Sequence, residues 1–203
     1  MLKFITLILS VLFLVGCQAH VQLSAPPLAD APIKERVKAY DELKPIVHRE
    51  LYIVNGYGGV SSNSSSLTLG NGQRIYHPED LLPVVGPNNK FAESTQQYLE
   101  YNRLGTTFMW SGLGVEILGT SLMLAGIPRS FGRNSGEIGP TFAIGAGMVV
   151  LGLVGVIVGY IFEAKSSDYK ASAFDVYDSV LLKRLELART GTNTVLVPTN
   201  QVE

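Results

Sequence analysis

The chain has little cysteine and little charge. Cys17 is the only cysteine in 203 residues, which leaves no disulfide within the chain and no cysteine-ligated metal. Charged residues make up 16% and the formal net charge is -1, so we expect no nucleic-acid partner. The sequence has no Ser-His-Asp spacing, phosphate loop or metal motif, and His20, His48 and His77 are scattered in tether or loop sequence. We therefore expect a protein that is not an enzyme and has no catalytic residues, metal or cofactor.

An export signal begins the chain. Lys3 gives a short positive region, and residues 4–15 are almost entirely apolar. This run suits a signal peptide and is too short to cross a hydrocarbon core of about 30 Å. It ends in Leu14-Val15-Gly16-Cys17, which resembles the lipobox of bacterial lipoproteins. The resemblance implies that residues 1–16 are removed and that Cys17 carries a diacylglyceryl thioether and an N-linked acyl chain such as palmitate. The alternative is an ordinary secretory signal with a chance cysteine.

The residue after the cysteine bears on which membrane holds the protein. In the enterobacterial sorting pattern, Asp at this position retains a lipoprotein in the inner membrane, and other residues permit export to the outer one. Gln18 therefore favours the outer membrane, with the inner membrane as the alternative.

The remaining layout predicts two water-exposed regions on either side of two long apolar stretches. Residues 17–32 form a lipidated, proline-bearing tether, and 33–103 form a periplasmic α+β region. Within that region we expect a short helix around Tyr40, a strand at 51–54 and a flexible loop at 56–66. A hairpin of 67–69 with 74–76 follows, then a helix start at Glu79-Asp80 and a helix that runs from 91 into the membrane. Residues 163–190 predict an amphipathic helix, and 191–203 a polar tail. The apolar face of that helix comprises Ala171, Phe174, Val180, Leu181 and Leu185.

Two stretches are long enough to cross a membrane. Residues 104–127 contain one charge and residues 140–162 none, and each covers about 30 Å as a helix. The polar segment 128–139 predicts a turn between them. Two buried helices of a soluble core are the alternative, but so small a chain has too little protein to cover them. The predicted fold class is thus a mainly α membrane protein: a transmembrane helical hairpin with a small periplasmic α+β region. Aromatic residues near the span ends suit the membrane interfaces; they include Tyr98, Tyr101, Trp110, Tyr160 and Phe162.

Glycines recur every seven residues in both spans, which places each series along one side of its helix. Small residues let helix backbones approach closely in lipid, so the two stripes predict helix packing, either within the hairpin or against a neighbouring subunit. A general richness of membrane helices in glycine is the alternative. The first series is Gly105, Gly112, Gly119 and Gly126; the second is Gly145, Gly152 and Gly159, and Gly155 adds a small-xxx-small pair with Gly159.

Glu116 is the one charge within the spans. A carboxylate in mid-membrane is costly and usually faces a protein interior or water. Two interpretations stay open: a carboxylate that faces a lumen or a partner in an oligomer, or a protonated side chain hydrogen-bonded to Ser111 or Thr120.

This layout of lipobox, two spans, short turn and flanking helices resembles the lipid-trapping, porin-like superfamily of α-helical outer-membrane lipoproteins from predatory bacteria. The resemblance implies a homo-oligomeric ring that encloses or organises membrane lipid, with membrane lipids as bound partners, and carries over no residue beyond Cys17. Glycine-zipper lipoproteins are also similar, but they repeat every four residues. The alternatives are a channel or transport component with a Glu116-lined lumen, and an accessory lipoprotein of a larger inner-membrane complex. A periplasmic protein partner is also possible, but no residue identifies one.

Overall fold

The computed structural model describes residues 20–27, 30–53, 62–130, 139–190 and 195–198, which fall into two compact units. The predicted signal peptide, Cys17 and most of the predicted turn at 128–139 lie outside the described residues. The chain is mostly helical, with two long apolar helices and a small three-stranded sheet, which confirms the mainly α class and the small α+β portion.

The first unit combines residues before 49, residues 66–87 and residues from Tyr177 onward. Three strands, β1 (Pro45–Ile53), β2 (Ser62–Leu69) and β3 (Arg74–Ile75), form a sheet in the order β1-β2-β3. β2 pairs antiparallel with β3, with Leu67 opposite Ile75. The helices of this unit before Tyr177 are α1 (Ile33–Leu43), a 3₁₀ helix (Pro78–Leu81) and α2 (Leu82–Val85).

Hydrogen bonds join α1 to the C-terminal part of the chain within this unit. The hydroxyl of Tyr177 donates to the carbonyl oxygen of Leu43 at 3.0 Å, and Arg36 donates to the carbonyl oxygen of Leu185 at 2.8 Å. Burial raises the pKa of Tyr177 well above its ordinary range, so this hydroxyl stays protonated and remains a donor. The buried apolar side chains of this unit include Tyr40, Leu67, Leu69, Ile75, Leu81, Val84, Val85, Leu181, Leu185 and Leu187.

The second unit, residues 49–65 and 88–176, is dominated by two helices. α3 (Lys90–Ser130) begins where the side chain of Asn89 accepts a hydrogen bond from the backbone N–H of Ala92, a typical N-cap. α4 (Pro140–Arg184) begins with proline at a position where helices tolerate it. Both helices run well beyond the apolar stretches predicted from sequence.

Three segments predicted from the sequence have different residue bounds in the structure. The serine run was expected in a flexible loop at 56–66, but Ser62–Leu69 is the central strand, which is hydrogen-bonded to β1 and, at Leu67 and Thr68, to β3. The helix predicted separately at 163–190 is continuous with the second apolar helix as far as Arg184, because no Gly or Pro after residue 159 breaks it. α3 continues to Ser130, past the predicted turn start at 128.

The prediction for the C-terminal segment, a helix to residue 190 followed by a polar tail, was also wrong. Glu186 has a φ of 50° and follows the end of α4. β4 (Leu187–Thr190) then pairs antiparallel with β5 (Val195–Pro198). The β-branched and leucine residues at 195–197 favour a strand within an otherwise polar tail.

Candidate functional site

The glycine stripes of α3 and α4 face each other. A Cβ atom placed on Gly112 would lie 2.6 Å from the carbonyl oxygen of Gly152, and one on Gly119 would lie 2.7 Å from that of Gly145. Near the other end, a Cβ on Gly105 would lie 3.1 Å from the carbonyl oxygen of Gly159. Seven residues forward on α3 are therefore matched by seven residues backward on α4, which defines an antiparallel register.

These contacts join backbone to backbone. Ordinary Cβ contacts begin at about 3.4 Å, so any side chain at the central positions would force the helices apart. Gly155 extends the contact, since its Cβ would lie 3.0 Å from the Cα of Gly112, and Gly126 approaches Phe142. The sequence left open whether the stripes seal the hairpin or contact another subunit. In the structure they lie against each other within one chain.

Two further glycines lie away from this interface. A Cβ on Gly114 or Gly147 would meet nothing within 4 Å. Gly114 follows Gly112 by about 200° of helical rotation, so it lies on the opposite side of α3. Thr107, Ser111 and Ser121 share that outer side by their spacing, and each donates its hydroxyl to the carbonyl oxygen four residues earlier. Their polar groups are thus satisfied without water.

Glu116 lies on the flank of α3. It lines an open groove of about 340 Å³ together with Leu113, Ile117, Thr120 and Ser121. Its Cβ is close to the interface, 2.9 Å from where a Cβ on Gly152 would be. Ser111, one suggested partner, donates instead to the carbonyl oxygen of Thr107 at 2.6 Å. Among the described residues, no side-chain hydrogen bond to the Glu116 carboxylate is formed.

The outer surfaces of the two helices are strongly apolar and open. Ile117 is 66% exposed and Leu151 is 67% exposed. Only 11% of the most apolar window of α3 and 17% of that of α4 are buried within the chain. Both helices are long and apolar enough to cross a membrane by length and composition. A soluble core helix passes the same test but would be mostly buried, unlike these two.

Aromatic rings cluster at one end of the apolar segments. Tyr101 lies 5.9 Å from Phe162 and 5.3 Å from Tyr169, measured between ring centroids, and Phe108 lies 5.6 Å from Phe162. The ammonium of Lys165 sits 5.7 Å from the Tyr101 ring centroid. Such a mixture of aromatic and basic side chains is typical of the level at which a helix leaves the hydrocarbon for the headgroups.

A second cluster lies in the first unit, where the sequence had suggested scattered histidines. That expectation was wrong for two of the three. The rings of His20 and His77 stack with centroids 4.4 Å apart. Nδ1 of His20 is 2.8 Å from a carboxylate oxygen of Asp80, whose other oxygen accepts the backbone N–H of Val21 at 3.0 Å. The hydrogen bond to Asp80 and its negative charge raise the pKa of His20.

No sequence signal could have found this cluster, because 57 residues separate the two histidines. The helix start predicted at Glu79-Asp80 is confirmed by the 3₁₀ helix Pro78–Leu81, which brings both carboxylates to the histidines. The expected tether is also partly wrong, since its residues His20 and Val21 are held by Asp80.

Comparison of the chain with known protein families, characterised proteins and solved structures finds no match.

Proposed function

We propose that this protein is a membrane-embedded bacterial lipoprotein, without enzymatic activity, whose helical hairpins assemble with copies of themselves into a ring that organises or encloses membrane lipid. Lipid on Cys17 anchors the chain from the periplasmic side, in the outer membrane, and the antiparallel hairpin returns both ends of the apolar segments to that side.

Membrane insertion is supported by how the polar and apolar groups are distributed. Large apolar side chains such as Ile117 of α3 and Leu151 of α4 remain exposed, and three hydroxyl groups on the outer side of α3 bond back to their own backbone. In water, so large an apolar surface would drive association or aggregation. In hydrocarbon the same surface is well solvated, and the satisfied hydroxyls carry little cost.

The observation that carries the assembly is Glu116. It sits in the middle of the first apolar stretch, in a groove open on the outside of the hairpin, with no hydrogen bond among the described residues. A carboxylate facing hydrocarbon costs roughly 2.5–3.5 kcal/mol or more, so a neighbouring subunit or enclosed water is needed to cover it. Because the glycine stripes are used within the chain, the contact between subunits falls on the flank of α3 that carries the Glu116 groove.

The decisive experiment is native mass spectrometry of the full lipidated chain released from a mild detergent. We expect a discrete oligomer that retains bound phospholipid. Glu116→Leu should weaken this oligomer, whereas the matched variant Glu116→Gln, which keeps a hydrogen-bonding side chain, should preserve it. Observation of monomers alone would overturn the proposal, as would an oligomer that Glu116→Leu leaves unchanged.

The second candidate is a channel, and the same groove favours it because Glu116 can face water instead of a subunit. Planar-bilayer recording separates the two. A conductance that falls in Glu116→Gln would indicate a water-filled lumen, and a lipid-filled ring should conduct no ions. An accessory role in an inner-membrane complex would appear as co-fractionation with the inner membrane.

A further inference from the structure

A group of three metal-ligating side chains lies apart from the helix pair. His20, His77 and Glu79 each offer one ligand atom, and these atoms all lie within 4.8 Å of one another. The three belong to the first unit: His20 comes from the segment before α1, His77 from just before the 3₁₀ helix, and Glu79 from within it.

Two atoms of this group lack the partners that burial ordinarily requires. Nε2 of His77 and Oε2 of Glu79 are both shielded from solvent, and neither has a hydrogen-bond partner among the described residues. Nδ1 of His77 is 3.6 Å from Oε1 of Glu79, which is too long for a good hydrogen bond. Buried polar atoms are nearly always paired, so two orphans in one cluster indicate a missing binding partner.

The hydrogen bond to Asp80 favours the tautomer of His20 that can bind a metal. A proton on Nδ1 of His20, shared with the Asp80 carboxylate at 2.8 Å, leaves Nε2 with a free lone pair. Histidines that bind metals usually make this kind of hydrogen bond through their other nitrogen, which fixes the tautomer and the ring orientation. The His20 side chain is 62% exposed, so a cation can reach it from solvent.

We propose that His20, His77 and Glu79 bind a divalent transition-metal cation of the zinc class, with Asp80 as the residue that orients His20. Two imidazoles and one carboxylate are a ligand set that zinc accepts, with water in the remaining position. Ligand atoms around tetrahedral zinc lie roughly 3.4 Å apart, so the three groups need only a small rotation to close on the cation. The exposed His20 ring is the group best able to make it.

The consequence concerns the start of the mature chain. His20 follows Cys17 by three residues, which reach about 10 Å when fully extended. If Cys17 carries the lipid, as the proposed function holds, the cation holds the first unit close to the anchored end of the chain. Metal binding itself depends on neither lipidation nor assembly.

The test uses full-length protein in mild detergent, purified without a polyhistidine tag and stripped of metal with a chelator. Isothermal titration with zinc chloride measures affinity and stoichiometry, and Co²⁺ absorption reports the ligand field. We expect one saturable site per chain. Removing a residue that hydrogen-bonds to a metal ligand typically lowers the metal affinity about 10–100-fold. Because His77→Ala and Glu79→Gln remove ligands themselves, each should lower the affinity for zinc at least about tenfold.

His48→Ala is the matched control, since His48 lies outside the group, and it should bind as the unmodified protein does. Far-UV circular dichroism checks that each variant is folded, and His77→Gln replaces His77→Ala if the latter is not. Absence of saturable binding would overturn the proposal. Equal affinity in the His77 variant, or an equal loss in His48→Ala, would do the same. Because stoichiometry is counted per chain, this result is independent of whether the protein forms a ring.

Discussion

Substitution of the interface glycines by alanine tests the helix pair most directly. In Gly112→Ala the new methyl group would lie 2.6 Å from the carbonyl oxygen of Gly152 and 2.7 Å from the backbone nitrogen of Val156. Both neighbours are backbone atoms, so no side-chain rotation can relieve the overlap. The helices must separate locally until the 2.6 Å contact reaches 3.4 Å, the start of ordinary contact.

The energetic cost follows from that displacement. A gap of about 0.5–1 Å already forfeits a quarter to a half of the dispersion energy of the atoms it separates. Overpacking of this kind typically costs about 1–3 kcal/mol. The matched control is Gly114→Ala, where the methyl group meets nothing within 4 Å. There the better helix propensity of alanine should leave stability unchanged or raise it by about 0.5–1 kcal/mol.

The assay is unfolding of the detergent-solubilised protein by SDS. Unfolding is monitored through the distance-dependent coupling between two labels attached at positions Ile117 and Val150, one exposed position on each helix. Gly112→Ala should unfold at lower SDS than the unmodified protein, and Gly114→Ala should not. Equal midpoints for the two variants would refute the close backbone contact. The nearest contact of a Cβ at each glycine also predicts how strongly alanine destabilises the helix pair there. The largest effect is expected at Gly112, Gly119, Gly145 and Gly152. A smaller effect is expected at Gly126 and Gly159, a still smaller one at Gly105 and Gly155, and none at Gly114 and Gly147.

Three further predictions concern other parts of the chain. Cys17→Ser should abolish metabolic labelling with palmitate while the chain stays in membranes through its two helices, and release into the soluble fraction would contradict the hairpin. Ile117→Lys should cost about 3–4 kcal/mol in membrane-insertion assays, because lysine is unfavourable in mid-membrane and the favourable insertion of isoleucine is lost, whereas an exposed site in water would tolerate it. Tyr177→Phe should lower the free energy of unfolding of the first unit by about 0.5–1.5 kcal/mol, through loss of the bond to the Leu43 carbonyl, and an unchanged thermal midpoint would contradict that bond.

Features that depend on neighbouring residues were predictable from the sequence. The apolar stretches and the glycine period follow from local composition and helical periodicity. The helix around Tyr40 and the turn between β2 and β3 also follow from local signals; at that turn, Gly72 takes a φ of 84° that favours glycine. The export signal, membrane insertion and lipidation are predictions from the same local information.

Features that depend on distant residues came only from the tertiary structure. A seven-residue period says that glycines share one side of a helix, but not what that side contacts. Only the antiparallel register showed that Gly112 meets Gly152 and Gly119 meets Gly145. In the same way His20 and His77 are unremarkable in sequence, and folding places their rings 4.4 Å apart. The physical reason is that local periodicity fixes which face a side chain occupies, whereas packing of segments far apart in the chain decides what that face meets.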